Sequence, residues 1–195
     1  KRQIDTILQK DIDLLMVNLV DIGAAPTVLN KIKDAGKPVV FFNREPAADV
    51  VKSYDKAMFV GTNAQEAGVL QGKILADQWK ANPALDKNGD GVMQYVMLKG
   101  EPDNAEAVAR TKYSVSTIND AGIKTEELAN QVCNWQQDLA QTNMEAWLSR
   151  YGDGIEVVIS NNDGMAQGAI AALQAAGYNN GCLLYTSPSP RDMRR

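Results

Sequence analysis

The chain has 195 residues, 45% apolar and 23% charged, with a formal net charge of −4. That balance is ordinary for a globular chain, and its acidity argues against a nucleic-acid-binding body, which needs a basic surface. Histidine is absent, which excludes a Ser-His-Asp triad, a Cys-His pair, an HExxH zinc site and a histidine general base.

Helical and strand patterns alternate along the chain. Ile4, Ile7 and Leu8 give residues 2–10 a helical period, and DLLMVNL (13–19) follows as a short apolar strand. A helix over 26–35 stops at Gly36, and KPVVFFN (37–43) and AMFVGTN (57–63) are the next two strands. A long helix over 65–80 sets Ala67, Leu70, Ile74 and Trp79 on one side. A loop rich in Gly, Asp and Asn leads into the strand MQYVMLKG (93–100) and a helix over 104–121. A weak strand (125–132), a helix (136–151), the strand IEVVIS (155–160) and a helix (164–176) complete the series. Short apolar strands alternating with amphipathic helices predict an α/β fold, a doubly wound parallel sheet with helices on both faces. The longest apolar runs are five or six residues, too short to span a bilayer.

Doubly wound sheets bind ligands outside the carboxyl ends of their strands. Those positions hold Asn43 after VVFF, residues 101–110 after VMLKG, Trp135 after the 125–132 strand, and Asn161, Asn162 and Asp163 after EVVIS. They include no activated nucleophile, and the chain has neither a Walker lysine nor GxGxxG. Amide, carboxylate and guanidinium groups can each bond two adjacent hydroxyls of one ligand, and an indole face can cover the C–H patch of a pyranose. The set therefore suits a neutral polyhydroxylated ligand. Each member also has a plainer reading. Asn43 and Asn162 fit as turn or helix-cap residues, Glu106 and Arg110 as an i,i+4 surface ion pair, and Trp135 as a core residue.

Residues 86–94 read DKNGDGVMQ. Asp86, Asn88 and Asp90 occupy positions 1, 3 and 5 of an EF-hand loop, Gly91 is the turn glycine, Val92 offers its backbone carbonyl and Gln94 follows. Met97 stands where the bidentate glutamate belongs, and a strand follows instead of a helix, so this is not an EF-hand. What remains is an oxygen-rich half-shell for Ca²⁺ that a carboxylate from elsewhere would close, or an Asn-Gly-Asp-Gly turn without metal.

Taken together, VVFFNREP, DKNGDGVMQ, LKGEP…AR, Trp135, MEAWLS and EVVISNNDGMAQGA resemble the galactose/glucose-binding members of the type I periplasmic sugar-binding protein family. The likeness spans residues 1–181. It implies two lobes of doubly wound parallel sheet closing on one hexose: a remnant of the N-terminal lobe over 1–61 and most of the C-terminal lobe over 62–181, both incomplete. It implies a structural Ca²⁺ held by Asp86, Asn88, Asp90, the carbonyl of Val92, Gln94 and a remote Glu156. It carries sugar contacts onto Asn43, Arg110, Trp135 and Asn162. Asn104 and Glu106 stand where the family usually has His and Asp, which leaves glucose against galactose preference open.

The resemblance also implies partners and place: a hexose ligand, the membrane subunits of an ABC permease, a chemoreceptor, and no nucleic acid. Such a protein is periplasmic, or lipid-anchored on the outer face of the cytoplasmic membrane, and is not an enzyme. Regulators of the lactose-repressor type share the fold and are the competing class; a carboxylate-based sugar-processing enzyme ranks last. Lys1 already lies in a helical pattern, so sequence upstream is expected. The stretch 182–195, CLLYTSPSPRDMRR, resembles a back-translated transposase-based sequencing adapter and is expected to be non-native, leaving Cys133 as the single cysteine. In the family, further contacts and hinge crossings come from outside these residues, so 1–181 alone is expected not to clamp a hexose tightly.

Overall fold

A computed structural model describes residues 2–178 and 184–186. It divides into two compact units, the second beginning at Asn63.

In the first unit, α1 (Arg2–Leu8), β1 (Leu15–Val17), α2 (Ala25–Asp34), β2 (Val39–Phe42), α3 (Ala48–Lys52) and β3 (Ala57–Val60) follow in order. The three strands pair in parallel as β1-β2-β3. Since both crossovers run the same way across the sheet, α2 and α3 belong to one face. The core agrees: Leu15, Val17, Val39 and Phe41 are buried with Val28, Leu29 and Ile32 of α2, and Val50 and Val51 of α3 pack beside them. Alternation sends Met16, Met58 and Val60 to the other face, where they stand exposed. The short α3 has no counterpart in the sequence reading; five residues are too few for a helical period to register.

The second unit runs α4 (Ala64–Ala81), β4 (Val92–Lys99), α5 (Ala105–Asp120), β5 (Lys124–Val132), α6 (Gln137–Tyr151), β6 (Val157–Ser160), α7 (Asp163–Ala175) and β7 (Leu184–Thr186). Its sheet is parallel throughout, in the order β5-β4-β6-β7. Within the stretch 182–195, Leu184–Thr186 forms this edge strand beside β6; the rest of that stretch lies outside the described residues. The chain leaves β4 toward β5 through α5, then crosses back and outward through α6 and α7. These opposite directions place α5 and the α6/α7 pair on opposite faces. β4 serves both: Met93, Tyr95 and Met97 pack with Leu75, Ile118 and Ile159, while Val96 and Leu98 pack with Met144, Val158, Met165 and Ala169. No helix among the described residues is long and apolar enough to cross a membrane.

Candidate functional site

The strand order of the second sheet reverses between β4 and β6, which opens a crevice at their carboxyl ends. Asn161, immediately after β6, is fully buried there. Its Oδ1 accepts from the Gly100 N–H at 3.0 Å and the Thr111 hydroxyl at 3.2 Å, and its Nδ2 faces the Met97 sulfur at 3.8 Å. Its carbonyl accepts from Nη1 of Arg110 at 2.8 Å. One residue thus pins the end of β4 and the second turn of α5 to β6.

Arg110 pairs with Glu106 one turn earlier, Nη2 to carboxylate, at 2.7 Å. Their side chains are only 17% and 19% exposed, so this is a crevice pair and the solvated surface pair of the plainer reading does not hold. Nε of Arg110 is buried and has no hydrogen-bond partner among the described residues. An orphaned donor of that kind is costly unless a ligand acceptor fills its place.

Two of the asparagines do cap helices, as their types allow. Asn104 starts α5, its Oδ1 accepting from the N–H groups of Glu106 at 2.9 Å and Ala107 at 3.2 Å. Asn162 starts α7, accepting from the Met165 N–H at 2.9 Å, and its Nδ2 donates to the Trp135 carbonyl at 3.3 Å.

Trp135 is held by a tight turn. The Cys133 N–H donates to the Lys99 carbonyl at 2.7 Å, and the Gln136 N–H returns to the Cys133 carbonyl at 2.8 Å. The two central residues, Asn134 and Trp135, have φ of +49° and +67°, the signs of a type I′ turn. A bulky residue in that region carries backbone strain, which clusters at functional sites. The half-buried indole lies against the Gly100 backbone and packs on the α6/α7 core. Its core role and its place at the crevice are therefore compatible.

Arg110, Glu106, Trp135 and Asn162 are brought together around Gly100 and Asn161, with Asn104 at the start of the same α5. Asn43 lies in the first unit, exposed at the carboxyl end of β2, with φ of +67° and the Arg44 N–H bonded across it to the Phe42 carbonyl at 2.8 Å. Sequence reasoning placed Asn161 at a strand end but gave it no role, and it missed Gly100 and Thr111. Its place directly after the apolar run of β6 was the available signal for Asn161; nothing local marks the other two.

At the opposite end of β4, residues 86–94 fold into a self-bonded loop. Asp86 accepts from the Gly89 and Gly91 N–H groups at 2.8 and 2.9 Å. Asn88 accepts from the Asp90 N–H at 2.9 Å, and Asp90 from the Val92 N–H at 2.7 Å. Gly89 and Gly91 have φ of +74° and +73°, which a side chain would resist. The Val92 N–H bond holds the Asp90 carboxyl below its usual range, against some desolvation. Glu156 reaches in from the head of β6, buried, accepting from the N–H groups of Lys87 at 2.7 Å and Gln94 at 3.1 Å. Burial pushes its carboxyl above the usual range, and the N–H bonds from Gln94 and Lys87 oppose that.

Among the described residues no three His, Cys, Asp or Glu side chains gather as a metal cluster. Any cation here would need the mixed donor set of Asp86, Asn88, Asp90, the Val92 carbonyl, Gln94 and Glu156. One observation fits that need. Gln94 donates through Nε2 to Asp90 at 2.8 Å while its Oε1 is buried with no hydrogen-bond partner among the described residues.

The sequence matches the periplasmic binding protein domain family across residues 1–194. The chain belongs to that family. It is 49% identical over 176 residues to the D-galactose/methyl-galactoside binding periplasmic protein of Haemophilus influenzae, an alignment covering 90% of this chain and 53% of that protein. Among solved structures it is similar to an ABC transporter solute binding protein of Bacillus halodurans with bound myo-inositol. That likeness has 26% identity and a TM-score of 0.75, covering 94% of this chain and 58% of the other. The arabinose-transporter binding protein of Shewanella sp. shares the fold, with a TM-score of 0.79 at 21% identity, covering 95% of this chain and 58% of the other. The chain spans about half the length of the curated relatives it matches. The relatives named here are binding proteins rather than enzymes.

Proposed function

We propose that the protein containing this chain is an extracytoplasmic solute-binding protein that takes up a hexose, D-galactose or D-glucose, and delivers it to the membrane subunits of an ABC permease. The observation that carries this reading is the β4/β6 switch point, where the half-buried indole of Trp135 lies against Gly100 and the largely buried Arg110, bonded to the Asn161 carbonyl, keeps a buried Nε with no hydrogen-bond partner among the described residues. The indole face covers the apolar side of a pyranose ring, while Arg110 and the amides of Asn104 and Asn162 meet its hydroxyls. Glu106 keeps Arg110 in place and supplies an acceptor. The identity to a galactose-binding relative supports the same ligand class. We place the protein in the periplasm, free or lipid-anchored on the outer face of the cytoplasmic membrane, with a chemoreceptor as a second docking partner for the loaded form.

The reading includes a structural Ca²⁺ held by Asp86, Asn88, Asp90, the Val92 carbonyl, Gln94 and Glu156. These are all hard oxygen donors, the chemistry calcium takes, and the orphaned Gln94 Oε1 is the acceptor such an ion would satisfy. When bound, the ion would supply charge that offsets the carboxylates of Asp86, Asp90 and Glu156 and would cross-link the loop to the head of β6. The protein's own residues already prepare for this, since Glu156 and the loop N–H groups fix the carboxylates without it.

The test is a tryptophan-fluorescence titration of the full-length protein with D-galactose and D-glucose, with Trp135→Ala alongside. A saturable change that the variant loses supports the hexose reading. No response to either sugar from the folded protein overturns it. For calcium, a chelator should lower the melting temperature of the wild type and leave that of Glu156→Gln nearly unchanged; an equal response in both rejects the proposed ligand set.

A further inference from the structure

We infer that Gly100 is a positioning residue for the ligand site, its missing side chain setting how deeply the Trp135 ring sits over the end of β4. This deepens the hexose reading and rests on it.

A Cβ built on Gly100 would lie 2.4 Å from both Cη2 and Cζ2 of Trp135 and 2.6 Å from Cε2. Carbon atoms in contact sit at about 3.5–4.0 Å, so even a methyl group would have to displace the ring. The backbone that carries the ring is held as well. The Trp135 carbonyl accepts from Nδ2 of Asn162, and the turn carrying the ring is fixed by the Cys133–Lys99 and Gln136–Cys133 bonds. Asn134 and Trp135 already occupy left-handed backbone, which leaves the turn little freedom to relax. Gly100 itself is immobilised, its N–H donating to the buried amide of Asn161. No positive φ is found at Gly100, so backbone conformation does not call for glycine there. Steric room for the indole does. A side chain at 100 would tilt or lift the ring off the end of β4 and change its placement relative to the donors on Arg110 and Asn162.

The experiment is a double-mutant cycle in the full-length protein: wild type, Gly100→Ala, Trp135→Phe and the double variant. Each is titrated with D-galactose and D-glucose by calorimetry, with tryptophan emission recorded. Phe lacks the outer ring that Gly100 receives. Gly100→Ala should weaken binding by about tenfold or more and shift the emission contributed by Trp135, yet change affinity little when position 135 is Phe. Equal loss in both backgrounds, or no loss with Trp135 present, overturns the inference. If Gly100→Ala does not fold, the double variant decides: recovery of the fold supports the steric assignment, and failure in both overturns it. A wild type that binds neither sugar refutes the hexose reading instead, which is a separate outcome.

Discussion

The buried carboxylate of Glu156 accepts from the backbone N–H of Lys87 at 2.7 Å and that of Gln94 at 3.1 Å, so a single side chain before β6 fastens both ends of the acidic loop. Glu156→Ala would strand both donors. Leaving a buried donor unsatisfied costs about 1–3 kcal/mol, so the variant should lose roughly 2–4 kcal/mol in urea unfolding. Glu156→Gln keeps one acceptor oxygen and should lose about half as much.

Asn161 holds Gly100 and Thr111 through one oxygen atom. Thr111→Val removes one of those bonds and should cost about 1 kcal/mol. Asn161→Ala removes both, together with buried volume, and should cost roughly 2–4 kcal/mol. Because the two residues touch, the double variant should fall short of the sum by about 1 kcal/mol in equilibrium unfolding.

Capping and ligand contact can be separated at Asn162. Asp caps a helix as well as Asn does, but its second oxygen would face the Trp135 carbonyl that Nδ2 now meets at 3.3 Å, so Asn162→Asp should keep the cap and lose about 1 kcal/mol of stability with the Nδ2 donor. Asn162→Ala should lose about 1 kcal/mol of stability. Hexose affinity measured by calorimetry should fall in both variants, including the one that keeps the cap.

Burial pushes the Cys133 thiol from 9.0 up to about 11. The folded chain therefore holds this proton more tightly than the unfolded chain. Its contribution to stability is complete below pH 9 and disappears as the pH rises toward 11. Denaturant midpoints across that window should fall more steeply for the wild type than for Cys133→Ala. In a Cys182→Ser background, iodoacetamide at neutral pH should label Cys133 only after denaturant is added, since the folded thiol is fully buried.

The strands were legible because β4 and β6 are apolar runs bounded by Gly, Asn and Asp, and α4 was legible as a helix, but its buried stripe is Gly68, Gln71, Gly72, Leu75 and Ala76, with Ile74 of the expected apolar side left exposed. Helix boundaries fell within a residue or two of the observed caps, Asn63, Asn104 and Asn162 among them. Strand-end position was enough to gather Arg110, Trp135 and Asn162, since a doubly wound sheet sends every carboxyl end to one edge. What stayed hidden depends on contacts distant in sequence. Thr111 meets Asn161 across 50 positions, and Gly100 matters only once Trp135 has been folded over it. The i,i+4 pairing of Glu106 with Arg110 forms as expected but largely buried, because periodicity alone cannot tell an outward helix face from one turned into a crevice.

β4 sends alternate side chains into the α4/α5 core and the α6/α7 core. Neither core can lose this strand and remain a core, so the second unit should open as one cooperative body. The amides of Val96 and Met97 would then be among the last to exchange with solvent deuterium. Gly100, Asn161 and the turn bearing Trp135 are moored to that same strand and its neighbour. Local fraying elsewhere in the second unit would leave the geometry of the crevice intact until the whole unit gives way.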